Sequence, residues 1–461
     1  MKLIACCLLM AAAVSAQDRP AVDWRKLEPE ILATFTTLLK IDTSNPPGNE
    51  TRAANTIKTI LEREGVGCQL FALDPARANL VARIKGTGRK KPLLIMGHTD
   101  VVGVQRDKWT VDPFGAVNNN GVIYARGARD DKPHVAAGVM ILLLLKRMNI
   151  QLDRDVIFLA EAGEEGTSTF GVDYMVKEHW AEIEAEYAIA EGGSIVEEQG
   201  KPHHVLISNT EKSPQRIRLV AHGPAGHGSR PEIANAVVHL ADAVARAGRW
   251  QTPVRLNETT RAYFERLAAI SPSPSAERYR DILNPARAAA VDAYFRESEP
   301  GHYSILRTSV VPTIINIGFR SNVIPSEGEA MLDVRALPDE DMTKFVAELR
   351  RVIDDPSIEV IPPKTNARPV STPSRIDTEL FRVFEKVGRR MFNVPTLPNM
   401  MTGATDNAQL RAKGVQAYGT GPIVSPEEGP LGGAHGDDEH IAVRSLMALI
   451  EYLWNVLMEI G

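Results

Sequence analysis

Residues 93–100 read Leu-Leu-Ile-Met-Gly-His-Thr-Asp. Four successive apolar residues describe a short buried strand, and the polar triplet His98-Thr99-Asp100 follows where the strand would end. The same order recurs along the chain. A strand-like run at 156–160 precedes Glu161-Ala162-Gly163-Glu164-Glu165-Gly166, and another at 187–190 precedes Glu191-Gly192-Gly193. A third at 122–125 precedes Arg126-Gly127-Ala128-Arg129-Asp130-Asp131-Lys132. Further strands are expected at 69–72 and 80–84. Helices alternate with them: Ile31, Leu32, Phe35, Leu38 and Leu39 keep the helical period up to the breaker Asn45-Pro46-Pro47-Gly48, and Ile57, Ile60 and Leu61 mark a second helix. A long helix is expected over 133–148, with Pro133 suited to its first turn. Strands alternating with helices predict an α/β fold, a mostly parallel sheet sandwiched by helices.

The pattern changes near Ser213. Strands at 216–221, 313–319 and 329–335 and helices at 233–247 and 341–353 describe an α+β domain, residues 213–363, inserted into the first. Residues 250–300 read as helical and polar, broken at Ser271-Pro272-Ser273-Pro274. The first domain, the one expected to carry any active site at its strand ends, thus spans 17–212 and 364–461, with Pro362-Pro363 and Pro369 on the return and helices at 376–390 and 441–458.

The first 16 residues read as a signal peptide: Met1-Lys2 is positive, 3–14 are apolar, and Val14-Ser15-Ala16 offers a cleavage site before Gln17. A periplasmic or secreted location is expected. No later run approaches the roughly 20 apolar residues of a membrane-spanning helix, so stable membrane insertion is not expected. With a net charge of -5 and no basic block, nucleic acid is not an expected partner. Of the three cysteines, Cys6 and Cys7 lie in the leader, so Cys68 can form neither an internal disulfide nor a thiolate cluster. Any metal must be held by His, Asp and Glu, which points to a catalytic rather than a structural site.

In an open parallel sheet, ligands bind beyond the carboxyl ends of the strands. His98 and Asp100, two apart on an extended segment, share a face, so the Asp could take the imidazole N–H and fix the metal-binding tautomer. Alone, the triplet suits a polar loop turn better than a site. Asp130 at a helix start reads either as a cap or as a carboxylate able to bridge two cations. Glu164 and Glu165 repel each other unless a cation is near, so one can ligate while its neighbour stays free as a base. Glu161 reads as structural. Glu191 and the loop Gly432-Gly433-Ala434-His435-Gly436 complete the set.

Together and in order, these segments resemble the aminoacylase/carboxypeptidase family of co-catalytic zinc hydrolases. The resemblance implies one zinc held by His98, Asp130 and Glu191, and a second held by Asp130, Glu165 and His435, with manganese or cobalt as alternative metals. It implies that Asp100 orients His98 and that Glu164 is the catalytic base. Gly223-Pro224-Ala225-Gly226-His227-Gly228-Ser229 is similar to the lid histidine loop, so His227, usually supplied by a partner subunit, and Asn322 would stabilise the oxyanion. Arg335 could pair with a substrate carboxylate, and Gly403 and Thr405 lie in a stretch resembling the Gly-rich substrate loop. One departure is Pro133-His134 where the family usually has Gly, and His134 matches no ligand position. The expected substrate is a small peptide, cut by a carboxypeptidase or dipeptidase, or an N-acyl amino acid, cut by a deacylase. The inserted domain resembles a dimerisation module, so a homodimer is possible on this reading. A non-catalytic homologue would be expected to have lost Glu164 or a ligand.

Overall fold

Leu93–His98 and Val156–Glu161 are each six consecutive buried residues. Strands covered on both faces read as unbroken apolar runs. These two lie parallel, Leu93 opposite Val156 and His98 opposite Glu161. Tyr187–Glu191 and Gln416–Thr420 continue the parallel centre of a ten-stranded sheet. One margin, Cys68–Phe71 and Asn79–Ile84, is antiparallel; the other is mixed, with Lys201–Glu211 antiparallel to Ser194–Glu198 but parallel to Thr396–Met401. The computed structural model describes residues 21–363, 368–425 and 433–461. The proposed leader and Gly432 lie outside the described residues.

Alternation along the strands divides the core in two. Leu93, Ile95 and Phe158 pack with Phe35, Ile141, Phe384 and Leu453 from the helices on one face. Leu94, Met96, Ile157 and Leu159 pack with Met175 and Leu410 on the other. The helix Lys132–Arg147 is buried from Lys132 through Leu145, because it lies between the sheet and neighbouring helices. The segment Val122–Tyr124 does not join the main sheet. It pairs with Val117–Asn119 and His440–Ala442 in a small antiparallel sheet, and this sheet sets the loop that carries Asp130. Cys68 is a free, half-buried thiol, pushed up to about 11 by burial. Among the described residues, no helix is long and apolar enough to cross a membrane.

The inserted segment builds a four-stranded antiparallel sheet from Ser309–Ile317, Glu327–Ala336, Ser213–His222 and Ile358–Ile361, in that order. The helices Ala236–Arg249 and Met342–Ile353 cover it. The helical stretch between its strands goes elsewhere. Glu258–Ile270, Ser275–Asp281, Ala288–Ser298 and Pro300–Ile305 surround Phe264 and Phe295, and this core includes Leu397 and Met400 of the catalytic strand Thr396–Met401. What reads as a polar helical stretch is therefore an aromatic module packed on the catalytic domain.

The join between the long helix and the sheet is tight. A Cβ on Gly138 would come within 2.2 Å of the buried Phe158 ring. Gly→Ala in a helix gains about 1 kcal/mol from propensity, whereas overpacking a core costs about 1–3 kcal/mol. Gly138→Ala should therefore lower stability in chemical denaturation. A variant at least as stable as the parent would show that the helix can move off the sheet cheaply.

Candidate metal centre and active-site cleft

The parallel strands deliver their last residues to one edge. His98 ends its strand, Glu191 ends another, and Glu164 and Glu165 lie three and four residues beyond the end of Val156–Glu161. Asp130 precedes the long helix, and His435 lies in the loop before His440–Ala442.

These side chains converge. His98 Nε2 is 2.9 Å from Asp130 Oδ1 and 4.0 Å from Glu191 Oε1. His435 Nε2 is 2.8 Å from Glu165 Oε1 and 3.1 Å from Asp130 Oδ2. Asp130 thus presents one carboxylate oxygen to each imidazole, and two N/O clusters share one acid. Candidate ligand atoms of His98, Asp130 and Glu165 lie within 4.8 Å of one another, as do those of His98, Glu164 and Glu191.

The electrostatics fit divalent cations. Burial, then the charge of Asp130, pushes Glu191 well above the usual carboxylate range. Burial also raises Glu165 to about 7, with Asp130 contributing and His435 opposing. Hydrogen bonds to Asp130 and Glu165 hold His435 up at about 10. Crowded acids out of water are costly, and a dication among their oxygens offsets that cost. It also takes the place of the protons that the imidazoles and acids otherwise hold.

Asp100 does its work differently from the sequence expectation. His98 Nδ1 lies 2.9 Å from the backbone carbonyl of Asp100 and 3.5 Å from its nearest carboxylate oxygen. The carbonyl therefore takes the imidazole N–H and leaves Nε2 facing Asp130. The carboxylate accepts the backbone N–H groups of Glu164 and Glu165, both at 3.1 Å, and Asn45 Nδ2 at 2.8 Å. Those turn N–H groups need an acceptor once buried, and Asp100 supplies it.

Glu439 plays the same part for the Asp130 loop, and nothing in the sequence singled it out. Its carboxylate, 1% exposed, accepts the backbone N–H groups of Gly127 (3.1 Å), Arg129 (2.7 Å) and Asp130 (3.1 Å), and Arg126 Nη1 at 2.6 Å. Its position four residues after His435 is the one signal that could have marked it. Arg368, also unmarked, donates to the Glu164 carboxylate and approaches Asp406 Oδ1 at 3.2 Å. Glu164 lies as near to His98 as a ligand would, but a carboxylate already facing a guanidinium is the poorer partner for a dication. Glu161 is buried, and burial, with the charge of Asp406, raises its pKa well above the usual carboxylate range; burial raises Asp406 as well. His134 is buried between Asp131 and Thr420 Oγ1, 3.0 Å away.

The remaining expected residues divide. Thr405 is tied to Glu211, its N–H at 3.0 Å and its hydroxyl at 2.8 Å, which fixes the Gly-rich loop against the catalytic sheet. Gly403 stands where a Cβ would come within 2.9 Å of Met401 Cε. Arg335 is held by its neighbour Asp333, Nε at 2.9 Å and Nη2 at 3.0 Å. His227 and Asn322 are brought together by the two-stranded ribbon of Gly226–His227 and Val323–Ile324, with Gly228 N donating to Asn322 O at 2.9 Å. Both are exposed. Among the described residues, no hydrogen bond or ion pair joins either to the cluster.

Residues 94–459 match the family model of peptidase family M20/M25/M40. The chain belongs to that family. As an M20 member it is a metal-dependent hydrolase of amide bonds. It is 26% identical over 379 residues to human N-fatty-acyl-amino acid synthase/hydrolase PM20D1, covering 80% of this chain and 74% of that protein. It is 26% identical over 398 residues to human aminoacylase-1, covering 84% and 86%. The fold matches an M20 family metallo-carboxypeptidase from Sulfolobus solfataricus, with a TM-score of 0.69 at 20% identity over 94% of this chain and 99% of that one. It also matches human carnosine dipeptidase 1, with a TM-score of 0.67 at 16% identity over 95% and 97%.

Outer partners that orient ligands commonly contribute 10–100-fold to metal affinity. Glu439→Gln loses the charge that four donors share, so its affinity for zinc in chelator competition should fall by about that factor. Unchanged affinity would mean that the Asp130 loop holds its shape without Glu439.

Proposed function

We propose that this M20 hydrolase uses two zinc ions to cleave an amide bond adjacent to a free carboxylate, in a small peptide or an N-acyl amino acid. The observation that carries the reading is Asp130, with one carboxylate oxygen turned to each of His98 and His435. His98, Asp130 and Glu191 would hold one ion, and Asp130, Glu165 and His435 the other. When bound, such a pair polarises a carbonyl and makes water acidic near neutral pH. Imidazole and carboxylate donors suit zinc, and manganese and cobalt accept the same donors.

Glu164 is the base in this reading. It is buried, its pKa is raised above the ordinary value mainly by burial, and Arg368 opposes that shift. A carboxylate so placed takes a proton from the attacking water and returns it to the leaving nitrogen. His227 and Asn322 stabilise the oxyanion, His227 coming from a second copy of the chain. Support for a homodimer comes from Ser309–Ile317, the edge strand of the inserted sheet, where Val311, Ile314 and Ile315 are each 51–53% exposed. An apolar unpaired edge of this kind is a surface for strand pairing. Arg335 meets the substrate carboxylate by exchanging Asp333 for it, since a guanidinium fork fits either acid. Aminoacylase-1 and the probable carboxypeptidase S-like 2 of Dictyostelium discoideum both carry names consistent with such substrates.

Glu164→Gln should keep both metal ions and lower kcat by about 10²–10⁴, checked by metal analysis beside steady-state kinetics. Loss of one ion with the activity would make Glu164 a ligand instead. Mixing inactive Glu164→Gln with inactive His227→Ala, under conditions that exchange subunits, should restore activity, because each mixed dimer pairs an intact base with an intact His227. No recovery would place His227 in the same chain as the cluster it serves.

A further inference from the structure

A cleft of about 810 Å³ opens beside Asp130 and Glu191. That is near the upper end of the roughly 300–1,000 Å³ of small-molecule sites. Its walls come from two sources. The catalytic sheet contributes Leu206, Met400 and Met401, and the aromatic module contributes Tyr263, Tyr279 and Ile305. The module therefore closes one side of the space that leads away from the cluster.

The polar groups of the aromatic module on this side already have partners, as do Asn399 and Arg129 opposite. Tyr263 OH and His302 Nε2 are 2.9 Å apart, His302 Nδ1 meets Glu299, and Tyr279 OH donates to Glu299 at 3.3 Å. Asn399 Nδ2 donates to Ser208 Oγ at 3.0 Å, and Arg129 Nη1 to the Ile423 carbonyl at 2.6 Å. A substrate ammonium would find Glu299 already engaged. A substrate carboxylate would face Glu191 and Glu299. Both charged ends of a peptide are poorly matched to this arm, whereas an uncharged apolar chain displaces water from Leu206, Ile305, the two methionines and the two tyrosine rings.

We propose that this cleft holds a long apolar acyl group, so that the substrate is an N-acyl amino acid whose acyl length is read by the module of residues 258–305. This deepens the amide-hydrolase reading and rests on it. It assigns the acyl side of the scissile amide to the arm beside Glu191, and leaves the carboxylate-bearing side to the other flank of the cluster.

The test uses the zinc-loaded full chain and one amino acid carrying acetyl, butyryl, octanoyl, dodecanoyl or palmitoyl groups, with free-amine dipeptides alongside. Each methylene that enters the cleft should raise kcat/KM by up to about fourfold, until the cleft is full. Ile305→Trp and Leu206→Trp, which fill the arm from opposite walls, should lower the dodecanoyl-to-acetyl ratio of kcat/KM at least tenfold. A flat or falling length profile, or dipeptides that outperform every acyl compound, would overturn the assignment. If no amide is cleaved at any length, the hydrolase reading fails by itself. Calorimetry on Glu164→Gln then decides the cleft: tighter binding of the dodecanoyl than of the acetyl compound supports it, and equal binding overturns it.

Discussion

The whole arrangement depends on one carboxylate facing two imidazoles. Asp130 lies 2.9 Å from His98 and 3.1 Å from His435, with Glu165 and Glu191 close behind. Burial, with the charge of Asp130, pushes Glu165 and Glu191 up, while against burial the two imidazoles hold Asp130 low; positive charge fixed among these acids lowers the cost of crowding them. Much of the surrounding structure serves to hold these groups together against that repulsion.

Three devices do so. Parallel strands end at one level, which aligns His98, Glu191 and the 164–165 turn through the backbone ladder. Asp100 then fixes that turn through its two backbone N–H groups, and Glu439 fixes the Asp130 loop through three more. A buried carboxylate that accepts several N–H groups makes strong, charge-assisted bonds, so the two loops that carry Asp130, Glu164 and Glu165 are fixed by the protein's own groups. The aromatic module closes one side of the cleft, and its core includes Leu397 and Met400 of the strand Thr396–Met401.

The residues that converge at the sheet edge were legible because each ends a strand or sits in a short polar motif beside one. Periodicity located those strands to within a few residues: Tyr187–Glu191 and Val156–Glu161 each run one residue past the expected end. Other parts were hidden for physical reasons. Glu439 acts through backbone groups, which leave no mark on the sequence. Arg368 is a single residue in a Pro-containing return with no periodic neighbour. Phe264, Tyr279 and Phe295 are scattered among charged residues, so their segment reads as polar until the helices fold and bring the rings together. The triplet at 98–100 reads as an Asp carboxylate holding the imidazole, whereas the backbone carbonyl of Asp100 lies nearer to it.

The central claim is that Asp130 bridges two ions. Anomalous diffraction at the zinc edge from crystals of the zinc-loaded protein measures this directly. The account predicts two peaks about 3.5–4 Å apart, one beside His98 and Glu191, the other beside His435 and Glu165, with Asp130 between them. A single ion, or a pair with Asp130 outside the coordination of either, would contradict it.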